Sequence, residues 1–294
     1  MTMIYYVGPD LPHDLLAATG RCAGPLPWRI DRAMPAADQW LESKFPLWAR
    51  SIVEDWANSE WDSCEAVIFS RADDAAQRLY YYICELRRQG VIGGPEPLIF
   101  DAATIPRASS GRQMAAAVRA LAERLGIDAA GLARGIRETN ARRAAVVAEQ
   151  EDGPVCLIAG TPPPDRRLHE MVEAAGWRAA GATLAESWGA LGPMVGEGDD
   201  PFVAIAAQLH DNVMGSRAFH DRAAALIADV RRIGARRVLL WFAEEDEARL
   251  WDVPAQRAAL AAEGIPALVM TRRDWRANGD EAEEIGRFLE GVAA

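Results

Sequence analysis

The fold is decided by the stretch Cys64–Gly90, which reads CEAVIFSRADDAAQRLYYYICELRRQG. Its apolar run Ala66–Phe69 is bounded by polar residues, which is typical of a buried strand. After the polar segment, large apolar side chains recur at positions i, i+4 and i+7, and Gly90 is placed to cap the end of the resulting helix. A strand that leads through polar residues into a helix predicts part of an open, parallel α/β sheet.

Four polar residues lie between this strand and helix, namely Ser70, Arg71, Asp73 and Asp74. Open α/β sheets bind ligands just beyond the carboxyl ends of their strands. We therefore predict that Asp73 is catalytic and that Ser70, Arg71 and Asp74 bind a ligand or cofactor. The alternative is that Asp73 and Asp74 only cap the helix and complement its dipole.

The second half of the chain repeats the pattern of the first. AVIF–SRADD–helix–Gly–PLIF is echoed by VLLWF–AEEDE–helix–Gly–PALVM, and each pattern predicts a βαβ unit. The fold expected is α/β, with two Rossmann- or flavodoxin-like parallel-sheet lobes whose polar strand ends face a shared cleft. Two amphipathic helices without flanking strands lie between the repeats. The predicted domains are a first lobe with an N-terminal helical part (1–107), a helical connector (108–151) and a second lobe (152–294).

Polar residues also follow the strands predicted for the second lobe. Those expected to bind the ligand or cofactor are Thr161, Ser187, Ser216 and Asp246, and those expected to be catalytic are Glu244 and Glu245. Facing carboxylates can carry out general acid–base catalysis, since crowded like charges raise the pKa of one of them toward neutrality. The alternative is that the run Glu244–Glu247 is a solvated loop, as most charge runs are.

The composition disfavours several classes of function. The chain has 294 residues and a net charge of -11, and binding to nucleic acid or to an anionic membrane needs a basic surface instead. No apolar run approaches the roughly 18 residues needed to span a bilayer. The P-loop and the GxGxxG fingerprint of dinucleotide-binding proteins are missing from the sequence as well.

Cysteine usage and the N-terminus predict the compartment. The four cysteines, Cys22, Cys64, Cys84 and Cys156, are scattered without CxxC spacing, which is typical of reduced thiols. The first residues show no basic segment followed by a long apolar one, so no signal peptide is predicted. We expect a cytoplasmic protein.

Several segments, taken in order, are similar to those of a known family. Pro12–Gly20 is similar to a Pro-x-acid-Leu-x-x-Ala-x-Gly segment, and Ile136–Arg143, reading IRETNARR, to a helix with an Asn-x-x-Arg pattern. Further matches are Ala66–Tyr80, Gly160 with Glu186–Gly189, and Leu239–Val269. In these segments the chain resembles the 2-hydroxyacyl-CoA dehydratase and benzoyl-CoA reductase superfamily, from about Val7 to Leu289. The resemblance implies a subunit that binds an acyl-CoA and holds a [4Fe-4S] cluster.

The cysteines that hold the cluster in that family have no counterpart here. Thiolates are the usual ligands of iron–sulfur clusters, but the matching positions are Ala72, Met214–Ser216 and Ala243–Asp246. We therefore predict no cluster and no metal site in this chain.

Two interpretations of function follow. In the first, the chain is a cluster-less subunit or homologue that binds an acyl-CoA or a related small acid, and forms a homo- or hetero-oligomer with a related subunit that can carry the cluster. Such an assembly, if enzymatic, is a lyase. In the second, the chain is a stand-alone, redox-independent enzyme or a small-molecule-binding protein that uses the acidic residues.

Overall fold

The computed structural model of the chain describes residues 2–145, 153–196, 198–212 and 218–291. It has an α/β fold with two four-stranded sheets, and every strand pairing in both is parallel. The predicted fold class, two parallel-sheet lobes flanked by helices, is confirmed.

The two sheets share one strand order. The first sheet consists of β1 (Ile4–Val7), β2 (Cys22–Pro25), β3 (Ala66–Ser70) and β4 (Glu96–Phe100), in the order β2-β1-β3-β4. The second consists of β5 (Val155–Gly160), β6 (Arg178–Ala180), β7 (Arg237–Ala243) and β8 (Ala267–Arg273), in the order β6-β5-β7-β8. Both correspond to the 2-1-3-4 start of the flavodoxin-like order. In this order, the second strand is added on one side of the first strand and the later strands on its other side, so the order of addition reverses between the first and third strands.

Helices connect and flank the strands. They are α1 (His13–Ala18), α2 (Pro35–Trp40), α3 (Leu47–Ala57), α4 (Asp74–Arg88), α5 (Ala108–Leu125), α6 (Ala129–Ala145), α7 (Arg167–Ala174), α8 (Leu184–Trp188), α9 (Pro201–Asp211), α10 (Arg222–Ile233), α11 (Val253–Ala262), α12 (Glu281–Glu290) and a 3-10 helix at Glu247–Asp252. Within the described ranges, no helix is both long enough and apolar enough to cross a membrane.

The chain divides into two compact units, each containing one sheet. The first unit comprises Met1–Ala148 and Trp188–His220, and the second comprises Glu149–Ser187 and Asp221–Ala294. Both units are therefore discontinuous in sequence, whereas the division predicted from the sequence is into three continuous segments.

Strand β3 and helix α4 anchor the first sheet as their sequence pattern predicts. All five residues of β3 are buried, as expected of a parallel strand covered on both faces. Helix α4 buries Leu79, Ile83 and Leu86 along one side. Its charges complement the helix dipole, with Asp74 in the first turn and Arg87 in the last.

A buried ion pair joins α1 to α6 within the first unit. The Arg143 guanidinium donates to both carboxylate oxygens of Asp14, at 2.7 and 2.8 Å, and the Thr139 hydroxyl also donates to this carboxylate. The two helices pack so closely that a Cβ added at Gly135 would lie 2.1 Å from the Asp14 carbonyl oxygen. Glycine at this position therefore permits the contact that aligns the ion pair.

Candidate functional site

The strand order of each sheet indicates where a ligand would bind. In open α/β sheets, ligands occupy the crevice beyond the carboxyl ends of the strands where the order reverses. This point lies between β1 and β3 in the first sheet, and between β5 and β7 in the second. Most of the predicted site residues lie at or just after the carboxyl end of β3, β5 or β7. They therefore lie at the sheet edge where the strand order predicts a ligand.

In the first unit, Ser70 at the end of β3 and Asp73 just after it have local structural roles. The buried Ser70 hydroxyl accepts a hydrogen bond from the Ala72 N–H, at 3.1 Å. Asp73 is the N-cap of α4, and its carboxylate accepts the Ala76 N–H at 2.8 Å. The capping role considered for Asp73 is thus confirmed, whereas its catalytic role stays a prediction.

The two charged residues beside Asp73 face solvent. Arg71 donates to Asp101 at 2.9 Å, and both side chains are more than a third exposed. The Asp74 side chain is 85% exposed and lies 3.9 Å from Arg78. Exposed ion pairs of this kind contribute about 0–1 kcal/mol, so neither residue is strongly fixed in position.

In the second unit, Thr161 and Asp246 form a network that ties the end of β5 to the end of β7. The Thr161 hydroxyl donates to Asp246 Oδ2 at 2.7 Å and accepts the Ala243 N–H at 3.2 Å. Arg249 pairs with Asp246 at 2.9 Å and donates to the Gly160 carbonyl at 3.0 Å. Two of the predicted ligand-binding residues, Thr161 and Asp246, therefore lie together and are hydrogen-bonded to each other.

Among the acidic residues that follow β7, Glu245 has a raised pKa. Burial raises its pKa above the ordinary value, the hydrogen bond from Trp275 at 2.7 Å opposes this shift, and the charges of Glu244 and Asp274 add to it. Crowding of like charges, the predicted cause, is thus a smaller contribution than burial. Glu244 itself is exposed.

Two further predicted residues lie away from these edges or outside the described ranges. The Ser187 hydroxyl donates to the Leu184 carbonyl within α8, at 2.7 Å. This helix begins with a capping box, in which Glu186 accepts from both the N–H and the hydroxyl of Thr183. Ser216 falls outside the described residues.

A cavity in the first unit was not anticipated from the sequence. We call it the polar cavity; its volume is about 490 Å³ and it lies among β1, β2, α1 and α6. The groups in it that matter for recognition belong to Tyr6, His13, Cys22, Glu138 and Arg142. Its size falls within the range of ordinary small-molecule sites.

His13 contributes a neutral imidazole to the polar cavity. Its Nε2 lies 2.9 Å from the Trp188 carbonyl oxygen. Because a carbonyl only accepts, Nε2 carries the hydrogen and Nδ1 is left as an acceptor. Burial lowers the pKa of His13 to about 4, so the ring is uncharged at neutral pH.

Opposite charges lie on the rim of the polar cavity. Arg142 and Glu138 are both exposed and are one turn apart on α6. Neither has a hydrogen bond or ion pair among the residues that the structure describes. Burial raises the pKa of Tyr6 and of Cys22, so both groups keep their protons at neutral pH.

The sequence contains two local signals for this cavity, but neither shows that the segments lie together. Pro12–Gly20 and Ile136–Arg143 were singled out as family-like segments, and both contribute to it. The i, i+4 spacing of Glu138 and Arg142 places them on one face of a helix. What no local pattern reveals is that α1 packs against α6, more than 100 residues later in the chain.

The absence of a cluster and of a metal site stays a prediction. In the described parts of the chain, no group of three or more His, Cys, Asp or Glu side chains is arranged to hold a metal ion. Burial is the main cause of the raised pKa of all four cysteine thiols, and the pKa of Cys156 reaches about 12.

Comparison of the chain with models of known protein families, and with curated proteins, finds no match. The family resemblance therefore stays a proposal.

Proposed function

We propose that this chain is a small-molecule-binding protein of the 2-hydroxyacyl-CoA dehydratase-like type, without an iron–sulfur cluster of its own, that binds an acyl-CoA or a related small acid. The observation that carries the proposal is the polar cavity, because it presents Arg142, a cation with no partner among the described residues, beside neutral hydrogen-bonding groups. An anion is the ligand that such a cavity favours.

The family part of the proposal is supported by how two family-like segments meet. Asp14, from Pro12–Gly20, pairs with Arg143, from Ile136–Arg143, at 2.7 Å. Asn140 of the second segment exchanges two hydrogen bonds with the backbone of Val195, each at 3.0 Å. The ion pair thus holds α1 against α6, and other residues of these two helices line the polar cavity.

Calorimetric titration tests this function. The purified chain is titrated with acetyl-CoA, free CoA, butyrate and the 2- and 3-hydroxybutyrates, and we expect at least one of the five to bind. Absence of binding by all five would remove the proposal. Iron and sulfide analysis of the same protein tests the cluster-less assignment, since roughly four iron atoms per chain would indicate a [4Fe-4S] cluster.

A related subunit is the proposed partner, either a second copy of the chain or a cluster-bearing relative. Light scattering measures the mass of the purified chain, and metal analysis of any copurified subunit identifies a cluster held elsewhere. A monodisperse single chain that binds butyrate but not CoA would favour the stand-alone protein instead.

The second candidate function is a redox-independent enzyme, and Glu245 is the observation that favours it. A carboxyl whose pKa is raised by burial is suited to general acid–base catalysis. The reaction to assay is one that acid–base catalysis can complete without electron transfer, such as loss of water from a 3-hydroxyacyl-CoA, in which the acidic C2 proton goes to a base and the hydroxyl leaves as water. Glu245→Gln should abolish any activity found, whereas Glu247→Gln, at an exposed residue outside the predicted site, should retain most of it; equal effects would contradict this candidate.

A further inference from the structure

Among the described residues that line the polar cavity, Arg142 is the one that carries a positive charge. Burial dominates the pKa shifts of Tyr6 and Cys22, and in each case the guanidinium of Arg142 opposes it. Arg142 also adds to the lowering of the His13 pKa that burial causes. One guanidinium therefore influences three lining groups, and its five N–H donors have no acceptor among the described residues.

Neutral hydrogen-bonding groups lie beside this cation. The Tyr6 ring packs edge-on to the His13 ring, with 5.3 Å between the ring centroids. The Tyr6 hydroxyl stays protonated and can donate, whereas His13 Nδ1 can only accept. A ligand that satisfies both groups needs an acceptor and a hydrogen-bond donor of its own.

The charge on the rim limits the charge of the ligand. Glu138 lies one turn before Arg142 and lines the same cavity. A doubly charged phosphate would face one arginine and be repelled by this carboxylate, whereas a singly charged carboxylate matches the one cation. A carboxylate also accepts two hydrogen bonds from a guanidinium in a well-defined geometry.

We infer that the polar cavity binds a small monocarboxylate that also carries a hydroxyl group, with its carboxylate on Arg142 and the Tyr6 hydroxyl, and its own hydroxyl donating to His13 Nδ1. This inference rests on the proposed function and names the ligand class within it. It assigns the site to a free acid rather than to the phosphates of CoA.

Calorimetric titration with four matched probes tests the ligand class. We expect 2-hydroxybutyrate or 3-hydroxybutyrate to bind more tightly than butyrate, because the hydroxy acids have a donor for His13 Nδ1 that butyrate lacks. Butyramide, which lacks the charge, should bind at least about tenfold more weakly than butyrate, since hydrogen bonds to charged groups are the strong ones. Equal affinities for butyrate and butyramide would overturn the inference, and so would no preference for either hydroxy acid.

Three variants on α6 test the residue roles. Arg142→Gln should lower the affinity for the preferred hydroxy acid at least about tenfold. Arg137→Gln, which removes another exposed arginine from the same helix, is the matched control and should leave affinity unchanged. Glu138→Gln should preserve or increase affinity, because it removes a repulsive charge. A loss on Glu138→Gln would overturn the inference and indicate a zwitterionic ligand.

The outcomes also separate this inference from the proposed function. If acetyl-CoA binds and none of the carboxylates does, the inference fails and the proposed function stands. If a hydroxy acid binds but Arg142→Gln behaves like Arg137→Gln, the inference fails again, because the acid then binds elsewhere. If nothing binds, both fail. Circular dichroism of each variant checks that the fold is kept.

Discussion

At the scale of single residues, Asp73 has a structural role that does not depend on a ligand. Its carboxylate accepts the Ala76 N–H at the start of α4, and loss of such a cap typically costs about 1 kcal/mol. We expect Asp73→Ala to lower the free energy of unfolding by about that amount in urea denaturation, and Asp73→Asn to retain most of it.

Asp74→Ala is the comparison for this prediction, because it removes a charge that complements the helix dipole but not the capping hydrogen bond; it should lower the free energy of unfolding by less than Asp73→Ala does. If Asp73→Ala instead leaves stability unchanged and weakens ligand binding tenfold or more, Asp73 belongs to the binding site.

His13 gives a prediction about pH. Burial lowers its pKa to about 4 in the folded chain, against about 6.5 in an unfolded one. Between these values the unfolded chain binds more protons, so the free energy of unfolding falls as the pH drops from about 6.5 toward 4. The full effect is roughly 3 kcal/mol.

His13→Gln removes this titration, so its free energy of unfolding should depend less on pH than that of the unchanged chain. Urea denaturation of both proteins at a series of pH values between 5 and 7 measures the difference. Parallel pH profiles would show that His13 does not have the lowered pKa.

At the scale of elements, the packing of α1 on α6 depends on Gly135. A Cβ there would lie 2.1 Å from a backbone oxygen of α1, the Asp14 carbonyl, and backbone cannot yield as a flexible side chain can. We expect Gly135→Ala to cost about 2 kcal/mol or more of stability, since overpacking forces the helices apart.

Gly111→Ala in α5 is the matched control for this prediction. Nothing lies within 4 Å of a Cβ added at Gly111, so the higher helix propensity of alanine should leave stability unchanged or raise it by up to about 1 kcal/mol. Thermal and urea denaturation compare the two variants. Similar responses would contradict the close helix contact.

Elements with a strong local sequence pattern were predictable, whereas elements stabilised mainly by contacts with distant parts of the chain were not. β3, α4 and β4 follow from a buried apolar run, a capping residue and a helical period. Gly24, Pro25 and Pro27 predict a loop over Arg21–Arg29, which is wrong for Cys22–Pro25. These residues form β2, the edge strand beside β1, where the missing N–H of proline is tolerated.

Some helix boundaries could be predicted from a single residue such as proline, and others could not be predicted from the apolar pattern. Proline usually ends or kinks a helix, so Pro46 predicts a boundary within the tryptophan-rich stretch Ala36–Trp61, and it is the residue before α3. The apolar pattern from Phe202 to Ile233 predicts a long helical region, but the described part of this stretch contains α9, which ends at Asp211, and α10, which begins at Arg222. Asp221 caps α10 by accepting the Ala224 N–H, a start signal that the apolar period alone did not reveal.

The candidate site was predictable only in part, for the same reason. Residues at strand ends, such as Thr161 and Asp246, could be placed from the strand pattern, and they meet at 2.7 Å. Tyr6, Cys22 and Arg142 all line the polar cavity. Because Arg142 is more than 100 residues away from the other two in sequence, no local pattern predicts that they lie together.

At the scale of the whole molecule, the thiols give a prediction. Burial raises the pKa of all four cysteines, and the thiolate is the reactive form. We expect the folded chain to react slowly with Ellman's reagent at pH 8, and the chain in guanidinium chloride to release four equivalents rapidly. A folded chain with one rapidly reacting thiol would contradict this prediction, and mass spectrometry would identify the residue.

The bond between His13 and the Trp188 carbonyl has a spectroscopic consequence. The Trp188 indole lies edge-on to those of Trp28 and Trp48, with ring centroids 5.1 and 4.9 Å apart. A molecule that binds against His13 thus contacts a residue that is hydrogen-bonded to the backbone carbonyl of Trp188, one of these three tryptophans. Filling of the cavity should alter their emission, so the chain carries its own fluorescent reporter of occupancy and needs no attached dye.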